Sequence, residues 1–243
     1  DGDALRPNLT SQGLRYLEAL GEEPEELFFH LMGALHSPAY ASGNLSALRQ
    51  DWPRIPLPAS RDDLLASAAL GRQIAALLNT ESPVPGVSSG DIRPDLRPLG
   101  VIACADGGEL NLTDDLEVTA GWGHAGKGGV TMPGAGNARL REYGMGERVE
   151  GLGERTYDIY LNDRAYWRNV PERVWNYTIG GYQVVKKWLS YRESKLLGRP
   201  LKPEEARYVT EMVRRIAAII LLEPELDANY ERVKANTYPW PGK

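Results

Sequence analysis

The sequence has few of the residue types on which common catalytic and structural sites depend. Among 243 residues there is one cysteine, Cys104, and there are three histidines, His30, His36 and His124. One cysteine excludes an internal disulfide framework and a cysteine-rich zinc site. His30 and His36 lie on different sides of a helical pattern and cannot hold one metal ion together. We therefore expect no metal and no cofactor in this chain, and a cytoplasmic setting.

Long apolar runs and a leader segment are also lacking. The longest run, residues 216–222, is far below the roughly 18 apolar residues that span a membrane, and it predicts a buried helix. No signal peptide is visible at the start. The first residue is Asp1 rather than Met, which fits a piece excised from a longer protein.

Catalytic motifs are either absent or incomplete. The sequence has no Gly-x-Ser-x-Gly elbow, no His-Glu-x-x-His pair and no Asn-Pro-Pro-Tyr loop. Residues 121–128 match a dinucleotide fingerprint and nearly match a phosphate-binding loop, but the glycines that follow cannot open the required helix. We expect a flexible loop there. Glu193 and Lys195 resemble part of a nuclease metal site, but no aspartate lies nearby, so a solvated helix end is the preferred interpretation.

The net charge of −5 argues weakly against nucleic acid as a partner, but the charge is unevenly distributed. Residues 164–215 hold twelve basic and five acidic residues, a balance of +7, and the rest of the chain carries −12. This basic segment indicates an anionic partner more clearly than the total does.

Periodicity and turn residues predict an α+β fold: helices at both ends around a small, mostly antiparallel sheet with long glycine-rich loops. Caps and prolines place the helices, and Gly and Asp turns separate the strands. The predicted helices are Ser11–Leu20, one from Pro24 ending before Ser37, Arg61–Leu78, three beginning at Pro171, Gln183 and Pro203, and a last one over 224–235. The predicted strands are 99–104, 109–112, 116–120 and 157–161, with one or two more inside 121–153. The expected parts are a helical 1–90, a β-rich recognition part 91–165, and a helical 166–243 packing with the first, or one continuous domain.

The segment 174–192 combines aromatic and basic residues, with Gly180-Gly181 expected to separate two helices. The second of these helices has one apolar face, which we expect to pack in the core; it carries Val184, Val185, Trp188 and Leu189. The basic side chains lie away from it, where a solvated face and a DNA-facing surface are both possible interpretations.

The same segment resembles the C-terminal specificity domain of type ISP restriction–modification enzymes, which are single-polypeptide systems. Its pattern Val-Trp-x-Tyr-x-Ile-Gly-Gly-Tyr-Gln-Val-x-Lys-Lys-Trp-Leu-x-x-Arg begins at Val174. Residues 35–40, 52–56, 160–162 and 169–171 resemble further family segments. The resemblance implies that this chain is not itself an enzyme. It implies a bacterial parent protein with nuclease, ATPase motor and S-adenosylmethionine-dependent adenine methyltransferase parts, which would use ATP and Mg²⁺ in phage defence.

The resemblance makes double-stranded DNA and the adjacent methyltransferase domain the expected partners. The residues expected at phosphates are Arg164, Arg168, Gly181, Tyr182, Gln183, Lys186, Lys187 and Arg192. Those expected at bases are Lys127, Arg139 and Arg141, since Arg and Lys read guanine well. The alternative is a structural coupling domain that braces the methyltransferase against the motor without reading bases.

Overall fold

A computed structural model describes residues 7–240 of the chain. Contacts group these residues into two compact units. The first, here called the terminal unit, holds residues 7–79 and 222–240; the second, the central unit, is Thr80–Leu221. Within the described residues, no helix has both the length and the apolar character needed to cross a bilayer.

The terminal unit is helical. It contains α1 (Ser11–Leu20), α2 (Pro24–Leu35), α3 (Pro38–Gly43), α4 (Leu45–Leu48) and α5 (Arg61–Leu78). The second half of the chain's longest helix, Pro203–Ala235, also belongs to it.

Local capping explains why the first helices are where the sequence predicts them. Gly21 ends α1 in the left-handed region at φ 68°, which glycine adopts without steric penalty. The Ser60 hydroxyl caps α5 by accepting a hydrogen bond from the Asp63 N–H at 3.2 Å. The predictions of α1, α2 and α5 are confirmed, with bounds that match the capping residues.

Helices α2 and α5 cross closely in the terminal unit. At Gly71 an added Cβ would lie 1.7 Å from the Phe29 carbonyl oxygen, so only glycine permits this approach. Beside the crossing, the buried His30 side chain contacts the Ser67 hydroxyl at 2.7 Å and the Pro56 carbonyl at 3.0 Å. The Asn229 amide donates to the same hydroxyl at 2.9 Å. His30 is thus a structural residue, as a lone histidine usually is.

The central unit is built on a four-stranded antiparallel sheet with the order β1-β6-β5-β4. Its strands are β1 (Val101–Cys104), β4 (Ala138–Arg141), β5 (Thr156–Tyr160) and β6 (Ala165–Pro171). Two hairpins pair separately: β2 (Gly123–Ala125) with β3 (Thr131–Pro133), and β7 (Thr178–Ile179) with β8 (Tyr182–Gln183). The remaining helices are α6 (Glu172–Trp175), α7 (Val184–Ser190), α8 (Ser194–Leu197) and the first half of α9 (Pro203–Ala235).

The core of the central unit lies between one face of this sheet and the first half of α9. Ile159 and Trp167 are opposite each other in the register and fully buried. The Trp167 indole donates to the Ala206 carbonyl at 3.1 Å. Gly100 packs against Val213 so closely that an added Cβ would lie 3.0 Å from it. The opposite sheet face is therefore the one left for other contacts.

Two predicted strands are wrong. In 109–112, the Asn111 side-chain oxygen accepts from the Thr113 N–H at 3.0 Å, and the backbone N–H of Asn111 donates to the Asp115 carboxylate at 2.9 Å. Such local bonds replace a strand ladder with turns. In 116–120, Leu116 and Val118 do alternate into the core, but the backbone bonds to three separate segments rather than to one neighbouring strand.

Two other expectations are corrected, and a third is refined. The expected helix break before residue 224 does not occur, because α9 runs through Pro224. The missing N–H removes one hydrogen bond, and buried apolar residues on both sides, Ile220 and Leu226, offset that loss. Residues 121–153 contain three strands rather than one or two. Gly180-Gly181 lies between a short helix, α6, and a longer one, α7, as expected, and the structure adds that the two glycines form the turn of the β7–β8 hairpin.

The fold class predicted from the sequence is confirmed: α+β, with helices at both ends around an antiparallel sheet. The chain passes between the terminal and central units after Asn79 and after Leu221, and neither position matches the predicted boundaries near residues 90 and 165. The three-part functional division stays a prediction.

Candidate nucleic-acid interface

A short hairpin and the helix that follows it form an exposed basic surface on the central unit. Ile179 pairs with Tyr182 across β7 and β8, and the two residues between them are Gly180 and Gly181. Both glycines have positive φ, 58° and 81°, which is the requirement of a type I′ turn. We call residues 178–191, which comprise this hairpin, α7 and Tyr191, the hairpin–helix surface.

The two lysines of α7 carry the charge of the hairpin–helix surface. The Lys187 ammonium lies 4.7 Å from the ring centre of Tyr182 and 4.8 Å from that of Tyr191. Within residues 7–240, neither Lys186 nor Lys187 forms an ion pair, so both charges remain available to a ligand.

Both lysines line a shallow pocket of about 210 Å³ together with Gly181, Tyr182, Gln183 and Pro133. The Gln183 amide donates to the Trp175 carbonyl at 3.2 Å, which fixes the base of the hairpin to α6. The structure thus brings five of the eight residues expected at phosphates to one place.

The other three expected phosphate contacts have partners within the protein. The Arg164 guanidinium pairs with Asp115 at 3.0 Å, and this carboxylate raises the pKa of Arg164. Arg168 pairs with Glu147 at 3.3 Å. The Arg192 guanidinium lies 4.1 Å from the ring centre of Trp188. Carboxylates partly neutralise the charges of Arg164 and Arg168, whereas Arg192, like Lys187, lies over an aromatic ring.

The β2–β3 hairpin lies beside the hairpin–helix surface. Gly123 approaches α7 so closely that an added Cβ would lie 1.9 Å from the Ser190 carbonyl oxygen. Pro133, which pairs with Gly123, lines the lysine pocket. Lys127 lies on the turn between the two strands, exposed to solvent. One of the three expected base contacts is therefore placed on an element that packs against the lysine helix.

A buried carboxylate fixes the glycine-rich segment. Glu193 accepts hydrogen bonds from the backbone N–H groups of Gly121, at 3.1 Å, and Trp122, at 2.7 Å. The Trp122 indole donates to the Tyr160 carbonyl at 2.7 Å. Two sequence interpretations change as a result: Glu193 is not a solvated helix end, and the segment from Gly121 is not simply a flexible loop. Sequence reasoning missed this pair because its members lie more than 70 positions apart.

The same contact argues against a phosphate-binding loop at residues 121–128. A phosphate-binding loop offers free backbone N–H groups to the anion. Here a carboxylate of the protein already occupies the N–H groups of Gly121 and Trp122, and a strand follows instead of a helix. The nucleotide-site interpretation therefore finds no support in the geometry.

The other two expected base contacts lie on β4, at the face of the sheet opposite the core. Arg141 pairs with Asp158 at 2.7 Å and with Glu147 at 2.6 Å, and these hydrogen bonds raise its pKa. Burial opposes ionisation of Glu147, but hydrogen bonds from Arg141 and Gly144 hold its pKa below the ordinary value. The donors of Arg141 are thus largely used within the protein.

Arg139 differs from Arg141 in its surroundings. Its guanidinium lies 4.0 Å from the ring centre of Tyr160, and that ring stacks on Tyr166 at 4.9 Å. Its single polar contact in the described part of the chain is to Asn137, at 3.3 Å. Arg139 is exposed, so most of its hydrogen-bond donors face solvent.

In the described range 7–240, no group of three or more His, Cys, Asp or Glu side chains is arranged to hold a metal ion. The single cysteine, Cys104, is buried and donates to the Asp106 carboxylate at 2.9 Å.

Comparison with known proteins identifies the family. The sequence matches the Type ISP C-terminal specificity domain over residues 2–215, and the chain belongs to that family. The resemblance read from the sequence is therefore confirmed. No curated protein matches this chain.

Two solved structures are similar to the chain over most of its length. One is a nuclease-deletion mutant of the Type ISP restriction-modification enzyme LlaGI in complex with a DNA substrate mimic; the alignment covers 86% of this chain and 16% of that one, with 18% identity and a TM-score of 0.44. The other is the cryo-EM structure of a DrdV–DNA complex, with 97% and 20% coverage, 18% identity and a TM-score of 0.48. The chain thus spans a fifth or less of the length of these proteins.

Proposed function

We propose that this chain recognises the DNA target site of a larger restriction–modification protein, and that its hairpin–helix surface holds the DNA backbone. Membership of the specificity-domain family supports the first part. The observation that carries the second is the pair Lys186 and Lys187, unpaired and beside a pocket at an exposed glycine turn. Lysines bind phosphates as point charges, and such contacts position a protein on DNA.

Among the proposed phosphate contacts, those best supported by their position are the residues that line this pocket: Gly181, Tyr182, Gln183, Lys186 and Lys187. Arg164, Arg168 and Arg192 would have to exchange internal partners for phosphates.

For base reading we propose Lys127 and Arg139 ahead of Arg141. The first two present side-chain donors to solvent, and Arg can bind the O6 and N7 atoms of guanine together. Arg141 would first have to break its pairs with Asp158 and Glu147.

We further infer that the parent protein supplies the chemistry. It would combine a nuclease, an ATPase motor and an adenine methyltransferase, would use S-adenosylmethionine, ATP and Mg²⁺, and would act in the cytoplasm. The adjacent methyltransferase domain would then be a partner in the same polypeptide, and this chain would supply no catalytic group.

A direct test is binding of the chain to a pool of random DNA duplexes at low and moderate salt. We expect selective enrichment and a steep salt dependence for the wild type. The slope of log K against log salt is negative, and each neutralised phosphate contributes about −0.9 to it. In Lys186→Ala/Lys187→Ala the slope should therefore become shallower by about 2. Arg49→Ala/Lys234→Ala is the matched control, because it removes two positive charges from the terminal unit.

The test also separates the second candidate function. A structural coupling domain is favoured by Trp52 of the terminal unit, whose side chain is 85% exposed. An exposed indole of this kind suits burial against another protein. If the wild type binds no duplex at low salt, or if both double variants lose the same slope, the coupling role replaces DNA recognition by this surface.

A further inference from the structure

The hairpin–helix surface carries an apolar tip that phosphate binding does not explain. Ile179 and Tyr182 are directly opposed across β7 and β8, so their side chains lie on the same face of the ribbon. They are 55% and 56% exposed. A phosphate can accept a hydrogen bond from the Tyr182 hydroxyl, but such a contact gives no role to the Ile179 side chain or to the exposed ring of Tyr182.

The tip is held in place by its surroundings. The two-residue turn through Gly180 and Gly181 leaves the opposed pair at the end of the ribbon. The Lys187 ammonium lies over the Tyr182 ring, and the Gln183 amide fixes the strand that carries this ring. The apolar pair is therefore presented by a supported element rather than by a loose loop.

A second set of exposed apolar side chains lies on the neighbouring hairpin. Val130 and Met132 of the β2–β3 hairpin are exposed, and the adjacent Pro133 lines the same pocket as Tyr182. The surface thus combines two unpaired lysines with apolar side chains that water solvates poorly. On a DNA duplex, charge of this sign fits the backbone, and the apolar groups available beyond it are the base planes and the thymine methyls.

We infer that the Ile179–Tyr182 tip inserts between adjacent base pairs and unstacks one base step while Lys186 and Lys187 hold the flanking phosphates. This inference rests on the proposed DNA-binding function. Apolar side chains inserted at a base step offset the loss of stacking through the additional contacts that bent DNA makes with the protein. An exposed ring and a β-branched side chain at a narrow turn suit this role better than lysine alone.

The experiment uses the duplex enriched from the random pool, with 2-aminopurine placed at successive positions. Fluorescence of this base rises when it loses its stacked neighbours. We expect a rise at one or two adjacent positions on binding of the wild type. The rise should be lost in Ile179→Ala/Tyr182→Ala, with affinity weakened roughly tenfold because two side chains no longer leave water.

Two further variants keep the test specific. Tyr182→Phe keeps the ring and should retain the fluorescence rise. Leu112→Ala truncates an exposed apolar side chain on a different loop and should change neither readout. Circular dichroism of each variant checks that the fold is kept.

The outcomes separate the two proposals. Failure of the wild type to bind any duplex refutes DNA recognition and this inference together. Binding without a rise at any position refutes insertion alone and indicates contact within a groove. A rise that persists in Ile179→Ala/Tyr182→Ala shows that other residues unstack the base step, and it also refutes the inference.

Discussion

The buried histidine of the terminal unit should make that unit sensitive to mild acid. His30 is 1% exposed, with Ser67 against one ring nitrogen and the Pro56 carbonyl against the other. A neutral ring satisfies both contacts, because one nitrogen donates to the carbonyl and the other accepts from the hydroxyl. Burial without a carboxylate partner lowers the pKa of His30 from 6.5 to about 4.

The sign and size of the effect follow from the two pKa values. Above pH 6.5 the ring is neutral in both the folded and the unfolded state, so its full contribution is present. Below that value the unfolded chain binds a proton that the folded chain does not, and stability falls by up to about 1.4 kcal/mol per pH unit. Between about pH 7.5 and pH 5 the loss of unfolding free energy amounts to about 2 kcal/mol.

Carboxylates do not obscure this window. Glu26 has a pKa below its ordinary value of 4.5, chiefly because of its hydrogen bond with Arg72. Its contribution is therefore lost only as the pH falls below about that ordinary value. The range above pH 5 reports mainly on the histidine.

The assay is urea unfolding across this pH range, with amide exchange of α2 as the reading specific to the terminal unit. His30→Gln cannot gain a proton, so its stability should be nearly constant from about pH 7.5 to pH 5, whatever its absolute value. His124→Gln removes an exposed histidine and should keep the wild-type slope. Equal slopes for the wild type and His30→Gln would refute the assignment of the acid sensitivity to His30.

Two further substitutions test contacts of the central unit. Glu193→Ala should lower the unfolding free energy by about 2–4 kcal/mol, because the N–H groups of Gly121 and Trp122 lose their acceptor. Glu193→Gln keeps one acceptor oxygen and should recover part of this loss. Equal stability of Glu193→Ala and the wild type in urea unfolding would contradict the contact. Asn169→Ala should lower the unfolding free energy by about 2–4 kcal/mol, because Asn169 has φ 59° and its amide donates to the Pro98 and Glu147 carbonyls. Asn169→Gly should recover only the part of this loss that comes from backbone strain. Thermal unfolding should therefore rank the wild type above Asn169→Gly, and Asn169→Gly above Asn169→Ala.

The helices could be predicted because their determinants are local. Gly21, Pro24 and Ser60 specify starts and ends within a few residues, and the structure confirms each of them. The strands 109–112 and 116–120 were wrong because their pattern of alternation does not reveal where the backbone hydrogen bonds go. Asn111 takes them up within a turn, and Leu116 bonds to a distant loop.

The surroundings of the candidate site residues could be predicted only in part, for a related reason. A basic segment can be counted along the sequence, but whether each charge is already paired depends on residues far away. Arg164 and Arg168 were indistinguishable from Lys186 and Lys187 until Asp115 and Glu147 were placed beside them. A sum of charges therefore overstates the surface available to DNA, and the unpaired lysines are the more informative part of it.

The glycines show why a motif needs its three-dimensional neighbours. Gly121 and Gly123 fit a nucleotide-binding pattern, yet one donates its N–H to Glu193 and the other makes room for the Ser190 carbonyl. Glycine at position 123 is required for packing the β2–β3 hairpin onto α7, whereas Gly121 is suited to its position by its positive φ of 79°. Close packing of that kind holds Lys127 and the pocket residue Pro133 in a fixed relation to Lys186 and Lys187, which a surface that reads a defined DNA site requires.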